Sequence, residues 1–93
     1  MRLEYDLAKS EQNIRSRGLS FDRAVDFNFE SAAFIRDERR DYGEERFVAI
    51  GYLDGRLHIL CFTAIEYGIR VISFRKANSR EAQKYGKPLT TTH

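Results

Sequence analysis

Arg46-Phe47-Val48-Ala49-Ile50-Gly51-Tyr52-Leu53-Asp54-Gly55-Arg56-Leu57-His58-Ile59-Leu60-Cys61-Phe62-Thr63 holds two β-rich runs on either side of Asp54-Gly55. Asp-Gly between such runs is a strong hairpin signal. Both central residues of a type I′ turn need positive φ, which Asp tolerates and Gly adopts freely. Residues 46–53 and 56–63 are therefore expected to pair antiparallel. The returning run is apolar at both parities, with Leu57, Ile59 and Cys61 on one face and Leu60 and Phe62 on the other. Strand side chains alternate, so such a strand is central and something covers each of its faces.

Working outward from the hairpin, Glu66-Tyr67-Gly68 reads as a second turn and residues 69–74 as a further strand. Asn78 and Glu81 have capping-box spacing, which predicts a short helix over Ser79–Tyr85. On the N-terminal side, residues 32–35 read as a short strand, and Asp37-Glu38-Arg39-Arg40-Asp41-Tyr42-Gly43 as a polar loop. Leu3 and Tyr5 alternate with charged neighbours, as in a short edge strand. Asp6 is an N-cap for a helix over Leu7–Arg17, and Gly18 ends it in the left-handed conformation with Leu19 folding back. Ser20 then caps a second helix with Phe21, Ala24, Val25 and Asn28 along one side. The expected fold is α+β: two N-terminal helices, a three- to four-stranded antiparallel sheet and a short C-terminal helix. Residues 1–86 form one domain in this reading. Residues 87–93, with Pro88 and a single large apolar side chain, form a disordered tail.

The chain has 93 residues, enough for one core of modest size, and a net charge of +2. Charge distribution says more than the sum. From Arg56 onward only Glu66 and Glu81 oppose Arg56, Arg70, Arg75, Lys76, Arg80, Lys84 and Lys87. A one-sided basic region suits a phosphate backbone, because each paired phosphate releases condensed counterions. The lone Cys61 excludes an internal disulfide, the N-terminus lacks the apolar run of a signal peptide, and no stretch is long and apolar enough to span a membrane. The expectation is a cytoplasmic protein with no membrane association.

No phosphate-binding glycine loop, zinc motif or nucleophile elbow is present. His58 and Cys61 are three apart on a strand, so they point to opposite faces and cannot share an ion; His58 reads as a half-buried sheet residue. The acids Asp37, Glu38 and Asp41 are interleaved with Arg36, Arg39 and Arg40, which suits an ion-pair loop better than a metal site. No metal or other cofactor is expected. The chemistry falls to arginine. Arg70 and Arg75 bracket a strand, and guanidinium forks match phosphate oxygens bidentately. Their separation of five gives opposite parity, so they share a face only if a bulge or the strand end re-aims one of them. Arg46, with Glu44 close by, can reach the same surface, and Tyr42 and Tyr85 are aromatic platforms on which bases could stack.

Three stretches carry a family resemblance. They are Tyr5-Asp6-Leu7-Ala8-Lys9 through Asn13-Ile14 to Gly18-Leu19-Ser20-Phe21, then residues 37–51 with Asp54-Gly55-Arg56, and then Arg70-Val71-Ile72-Ser73-Phe74-Arg75-Lys76-Ala77 with Arg80, Glu81 and Tyr85. In these the chain resembles the BrnT toxins of bacterial toxin–antitoxin pairs. The resemblance implies a fold similar to RelE-type ribonucleases, an endoribonuclease activity that inhibits translation, and RNA as substrate. It also implies a BrnA-like antitoxin, with two toxins and two antitoxins in the complex and operator DNA bound only through the antitoxin. Arg70, Arg75, Arg46, Glu44 and Arg17 are the catalytic candidates, and Lys9, Lys76, Arg80, Tyr42 and Tyr85 the RNA-binding ones. Where the family has Lys-His before its glycine, this chain has Ser16-Arg17. Arginine is always protonated, so Arg17 can bind phosphate but cannot shuttle protons. The alternative is a catalytically weak toxin-fold chain that serves as the antitoxin's partner.

Overall fold

The computed structural model describes residues 1–91. Its elements are β1 (Arg2–Tyr5), α1 (Leu7–Arg17), a 3₁₀ segment (Phe21–Asp26), β2 (Ala33–Arg36), β3 (Phe47–Leu53), β4 (Arg56–Ile65), β5 (Gly68–Lys76) and α2 (Ser79–Tyr85). The hairpin forms as its sequence dictates. Asp54 and Gly55 take φ of 51° and 74°, and β3 pairs with β4 from Phe47↔Phe62 to Leu53↔Arg56. The caps form too. The Asp6 side chain accepts from Lys9 N, Gly18 ends α1 at φ 68°, and Asn78 and Glu81 close a reciprocal capping box on α2.

The sheet is larger than expected and mixed. It has five strands in the order β1-β5-β4-β3-β2. The edge strand β1 lies parallel to β5, from Arg2↔Gly68 to Tyr5↔Val71, rather than joining an antiparallel meander. Nothing local announces that pairing, because β1 and β5 are separated by most of the chain and parallel strands need a long crossover. Gly68 admits it: a Cβ there would lie 1.7 Å from the Arg2 carbonyl oxygen. The second expected α-helix is also corrected. Residues 21–26 form a 3₁₀ segment whose buried side chains, Phe21 and Ala24, continue to buried Phe27 at the same spacing of three. Side chains three apart eclipse in a helix of three residues per turn, so this spacing aims all three into the core. Val25, assigned to the buried side, is exposed.

Both faces of β4 are covered, as its double-parity apolar pattern requires. Leu60 and Phe62 pack with Phe21, Ala24, Phe27, Val71 and Phe74 on the α1 face. Leu57 and Ile59 pack with Ile50, Ala77 and Ala82 on the α2 face. Helix α1 docks mainly through polar groups. Ser10 is buried and its Oγ accepts from Phe21 N at 2.9 Å, while Asn13 Nδ2 donates to Leu19 O at 2.9 Å and Phe74 O at 2.8 Å. The segment after α2, expected to be a disordered tail, is placed through Thr91. Leu57 N donates to Leu89 O, Tyr52 Oη to Pro88 O and Thr91 N to Gly55 O, each at 2.8 Å. Residues 92–93 of that expectation lie outside the described residues. The β4 edge of the hairpin thus recruits a segment whose sequence carries no strand signal.

Gly68→Ala is expected to lower stability by at least about 2 kcal/mol, since the new methyl meets backbone rather than a movable side chain. Urea denaturation checks this, and an unchanged midpoint would show that β1 does not need the close approach.

Candidate nucleic-acid interface

A single irregularity in β5 organises the basic side chains. Ladder partners run Thr63↔Arg70 and Phe62↔Val71, then resume at Cys61↔Ser73 and Ile59↔Arg75. Ile72 is therefore an extra residue, a β-bulge, and strand parity resets across it. Directly opposed residues share a face. Thr63 and Ile59 are four apart on β4, so Arg70 and Arg75 stand on the same α2 face despite their odd separation. Arg46, one residue before β3, lies near the Arg70 end of that face.

The loop between β2 and β3 closes at its base through Asp37 N donating to Arg46 O at 2.7 Å, and its side chains fold over these arginines. Arg70 Nη2 donates to Glu44 Oε1 at 2.6 Å and Arg46 Nε to Glu44 Oε2 at 3.3 Å. The Arg46 guanidinium stacks 4.0 Å from the centre of the Tyr42 ring, and Tyr42 Oη donates to Asp37 Oδ2 at 3.3 Å. Asp37, whose side chain is 2% exposed, receives both Nε and Nη2 of Arg39 at 2.8 Å. Arg75 reaches Glu81 with two donors, at 2.8 and 2.7 Å.

Besides a cleft of about 500 Å³ along Asp37, Tyr42 and Glu44, two more open around this arrangement. One of about 690 Å³ is lined by Glu4, Asp6, Lys9, Arg46 and Arg70. The other, about 390 Å³, is lined by Cys61, Ser73, Arg75, Glu81, Lys84 and Tyr85 among others. The carboxylates are held ionised. The Arg70 hydrogen bond lowers the Glu44 carboxyl. The Arg39 pair takes Asp37 from an ordinary 3.8 to about 2, and the Arg75 pair takes Glu81 from 4.5 to about 2. Groups so depressed make strong acceptors for guanidinium and poor bases at neutral pH.

Of the expected site residues, the structure brings together Arg46, Arg70, Glu44, Tyr42 and Lys9, with Arg75 and Tyr85 further along the same face. Arg80 stands exposed on the first turn of α2. Arg17 and Lys76 are elsewhere. They line a cavity of about 350 Å³ with Gly18, Leu19 and His58 on the α1 face, where Lys76 is the ladder partner of His58. Sequence reasoning missed Glu81 as the partner of Arg75, because its capping role already accounted for it. It placed Asp37 in a polar ion-pair loop, and the pair with Arg39 does form, but the Asp37 side chain is buried, which spacing does not reveal.

A family model described as the ribonuclease toxin BrnT of type II toxin–antitoxin systems matches residues 5–81. The chain belongs to the BrnT family. No curated protein and no solved structure matches it. Membership supports a ribonuclease toxin with an RNA substrate and an antitoxin partner. The match takes in every candidate residue of this BrnT chain except Tyr85. No described helix is long and apolar enough to cross a membrane.

Asp37 and Glu81 also make a pH signature. Each has a lower pKa folded than unfolded, so the folded state binds fewer protons and is stabilised above the unfolded values. That stabilisation is expected to disappear as pH falls from about 4.5 to about 2. Glu81→Gln should flatten part of the fall, measured by denaturant unfolding across that range. An identical slope in the variant would remove the Arg75–Glu81 pair as its source.

Proposed function

We propose that this BrnT chain is a metal-independent endoribonuclease that binds RNA across the α2 face of its sheet, cleaves it and so inhibits translation. The observation that carries the reading is the bulge at Ile72, which aligns Arg70 and Arg75 on the face that Arg46 approaches. Phosphates replace carboxylates there. Glu44 and Glu81 hold the guanidiniums in place, and an incoming phosphodiester competes for the same donors. Lys9 extends the positive charge into the larger cleft, and Tyr42, Tyr85 and exposed Arg80 border the track. In the reaction the ribose 2′-OH attacks the adjacent phosphorus, the O2′–P bond forms and the P–O5′ bond breaks. Positioned donors stabilise the developing phosphoryl charge, each by roughly 3 kcal/mol. Glu44 and Tyr42 are the groups on this face nearest a proton-transfer role, but Glu44 is held ionised by Arg70. Most acids of the loop are committed to guanidinium, Asp37 to Arg39 and Glu38 and Glu45 to Arg36, while Asp41 accepts from Gly43 N, so the donor set favours catalysis without a metal.

The partner is a BrnA-like antitoxin in a complex of two toxins and two antitoxins, with operator DNA reached through the antitoxin. A second reading, a catalytically weak chain kept as the antitoxin's partner, is favoured by one observation: Arg17 lies outside the Arg46–Arg70 cluster.

Purified protein is expected to cleave RNA in EDTA, with Arg70→Ala and Arg75→Ala each lowering kcat/KM at least about tenfold. Variants that cleave at the wild-type rate would take those arginines out of the mechanism. A wild-type protein that leaves RNA intact yet binds its antitoxin tightly would favour the second reading.

A further inference from the structure

On the α2 face the carboxylates beside the arginines, Asp37, Glu44 and Glu81, are all held ionised and are poor bases near neutral pH. Among the described residues, His58 is the one side chain whose ordinary pKa lies near neutrality. It occupies the cavity on the opposite face. Its Nδ1 lies 2.7 Å from Arg56 O, which can only accept, so Nδ1 carries the proton and Nε2 keeps its lone pair. Among the described residues Nδ1 makes the ring's only hydrogen bond. His58 is 4% exposed and lines this cavity, and with Nδ1 given to Arg56 O the ring nitrogen left for it is Nε2. Arg17 from α1 and Lys76 from β5 line the same cavity. Two cations beside one neutral acceptor match a phosphodiester anion flanked by a hydroxyl, which is the arrangement of a ribose 2′-OH and its 3′-phosphate.

We infer that the Arg17–His58–Lys76 cavity is where the RNA phosphodiester is cleaved, with His58 Nε2 as the general base. Nε2 takes the 2′-OH proton as O2′ bonds to phosphorus, and Arg17 and Lys76 hold the phosphoryl oxygens. The P–O5′ bond breaks, water protonates the departing O5′, and His58 returns its proton to solvent. The products carry a 2′,3′-cyclic phosphate and a 5′-hydroxyl. The RNA reaches both faces by passing the end of β5, where successive residues Arg75 and Lys76 point to opposite sides. Arg70, Arg75 and Arg46 then hold flanking phosphates along the α2 face, so that their loss lowers kcat/KM through RNA binding, and the phosphorus attacked lies in the cavity.

The charged groups around His58 come from three elements and the hairpin turn: Arg17 on α1, Arg56 on β4, Lys76 on β5 and Asp54 at the turn. Burial lowers the imidazole below its ordinary 6.5, with Arg56 and Lys76 acting in the same direction and Asp54 against them. His58 is thus neutral and competent as a base at physiological pH.

The inference rests on the ribonuclease reading, and the experiment separates the two. Wild-type protein is assayed in EDTA on an RNA oligonucleotide, with kcat and KM measured against pH. The rate is expected to rise with pH through a single deprotonation below the ordinary histidine value of 6.5 and then level. His58→Gln should lower kcat at least about 100-fold with little change in KM, abolish that limb, and leave thermal unfolding cooperative. Because the ring also packs on Phe74, His58→Gly with added imidazole is the second arm, and recovery of cyclic-phosphate products is expected. Wild-type cleavage with an unaltered pH profile in His58→Gln, or a wild-type rate with no acid limb, overturns the inference alone. A wild-type protein inert towards RNA overturns the ribonuclease reading as well.

Discussion

One extra residue in β5 sets the chemical identity of both faces of the sheet. Without the bulge at Ile72, Arg70 and Arg75 would point in opposite directions and one of them would enter the aromatic layer beneath α1. With it, Val71 and Phe74 both face Phe27 and the core, while Arg70, Ser73 and Arg75 face α2 and the loop. The same reset sends Lys76 to the α1 face beside His58. A strand with a core to fill and cations to display cannot do both on strict alternation, because the period of two fixes every second side chain. The bulge resolves the conflict at the cost of a locally broken ladder, and the backbone is held there by α1, whose Asn13 donates to Phe74 O.

The arginines at the centre of the basic face are paired with carboxylates. Arg70, Arg75, Arg39 and Arg46 each meet a carboxylate within 3.3 Å. Exposed ion pairs contribute little net stability, so the significance of most lies in geometry. A guanidinium held by a carboxylate has already lost much of its rotamer freedom, and exchanging that carboxylate for a phosphate keeps the fork aligned. Such a face is prepared for anions. The arrangement also explains why acid–base chemistry is hard to place there, since each arginine that orients a carboxylate also depresses its pKa.

Much of this was legible in the sequence. The Asp54-Gly55 hairpin, the central position of β4, the caps at Asp6, Gly18 and Asn78, and the opposite facing of His58 and Cys61 all follow from spacing. The basic character of β5 did as well. What was not legible depends on distant partners. The parallel pairing of β1 rests on the absence of a Cβ at Gly68, which reads locally as an ordinary turn glycine. Phe21, Ala24, Val25 and Asn28 were placed on one side at a 3.6-residue period, whereas the buried side chains are Phe21, Ala24 and Phe27, spaced by three. The segment through Thr91 looked structureless because its hydrogen bonds go to β4 and the hairpin rather than along itself. The bulge was named as the condition for Arg70 and Arg75 to converge, but its position could not be read from β5 alone.

Ser16-Arg17 looked from the sequence like the loss of a proton shuttle. In the folded chain its meaning is different, because position 17 is not isolated from histidine. Gly18 turns the chain at the end of α1 so that Arg17 and His58 line one cavity. An arginine there adds a permanent charge beside an imidazole whose accepting nitrogen is already fixed by Arg56 O. Burial first, and then the cations Arg56 and Lys76, disfavour the protonated imidazole, which keeps it a base. A histidine placed at 17 would stand in solvent on the last turn of a helix, where the dipole favours the protonated imidazolium. Burial at 58 does the opposite. In the inferred mechanism the two positions take opposite halves of the chemistry, charge at 17 and proton transfer at 58, and on that reading the substitution does not by itself remove a base from the molecule.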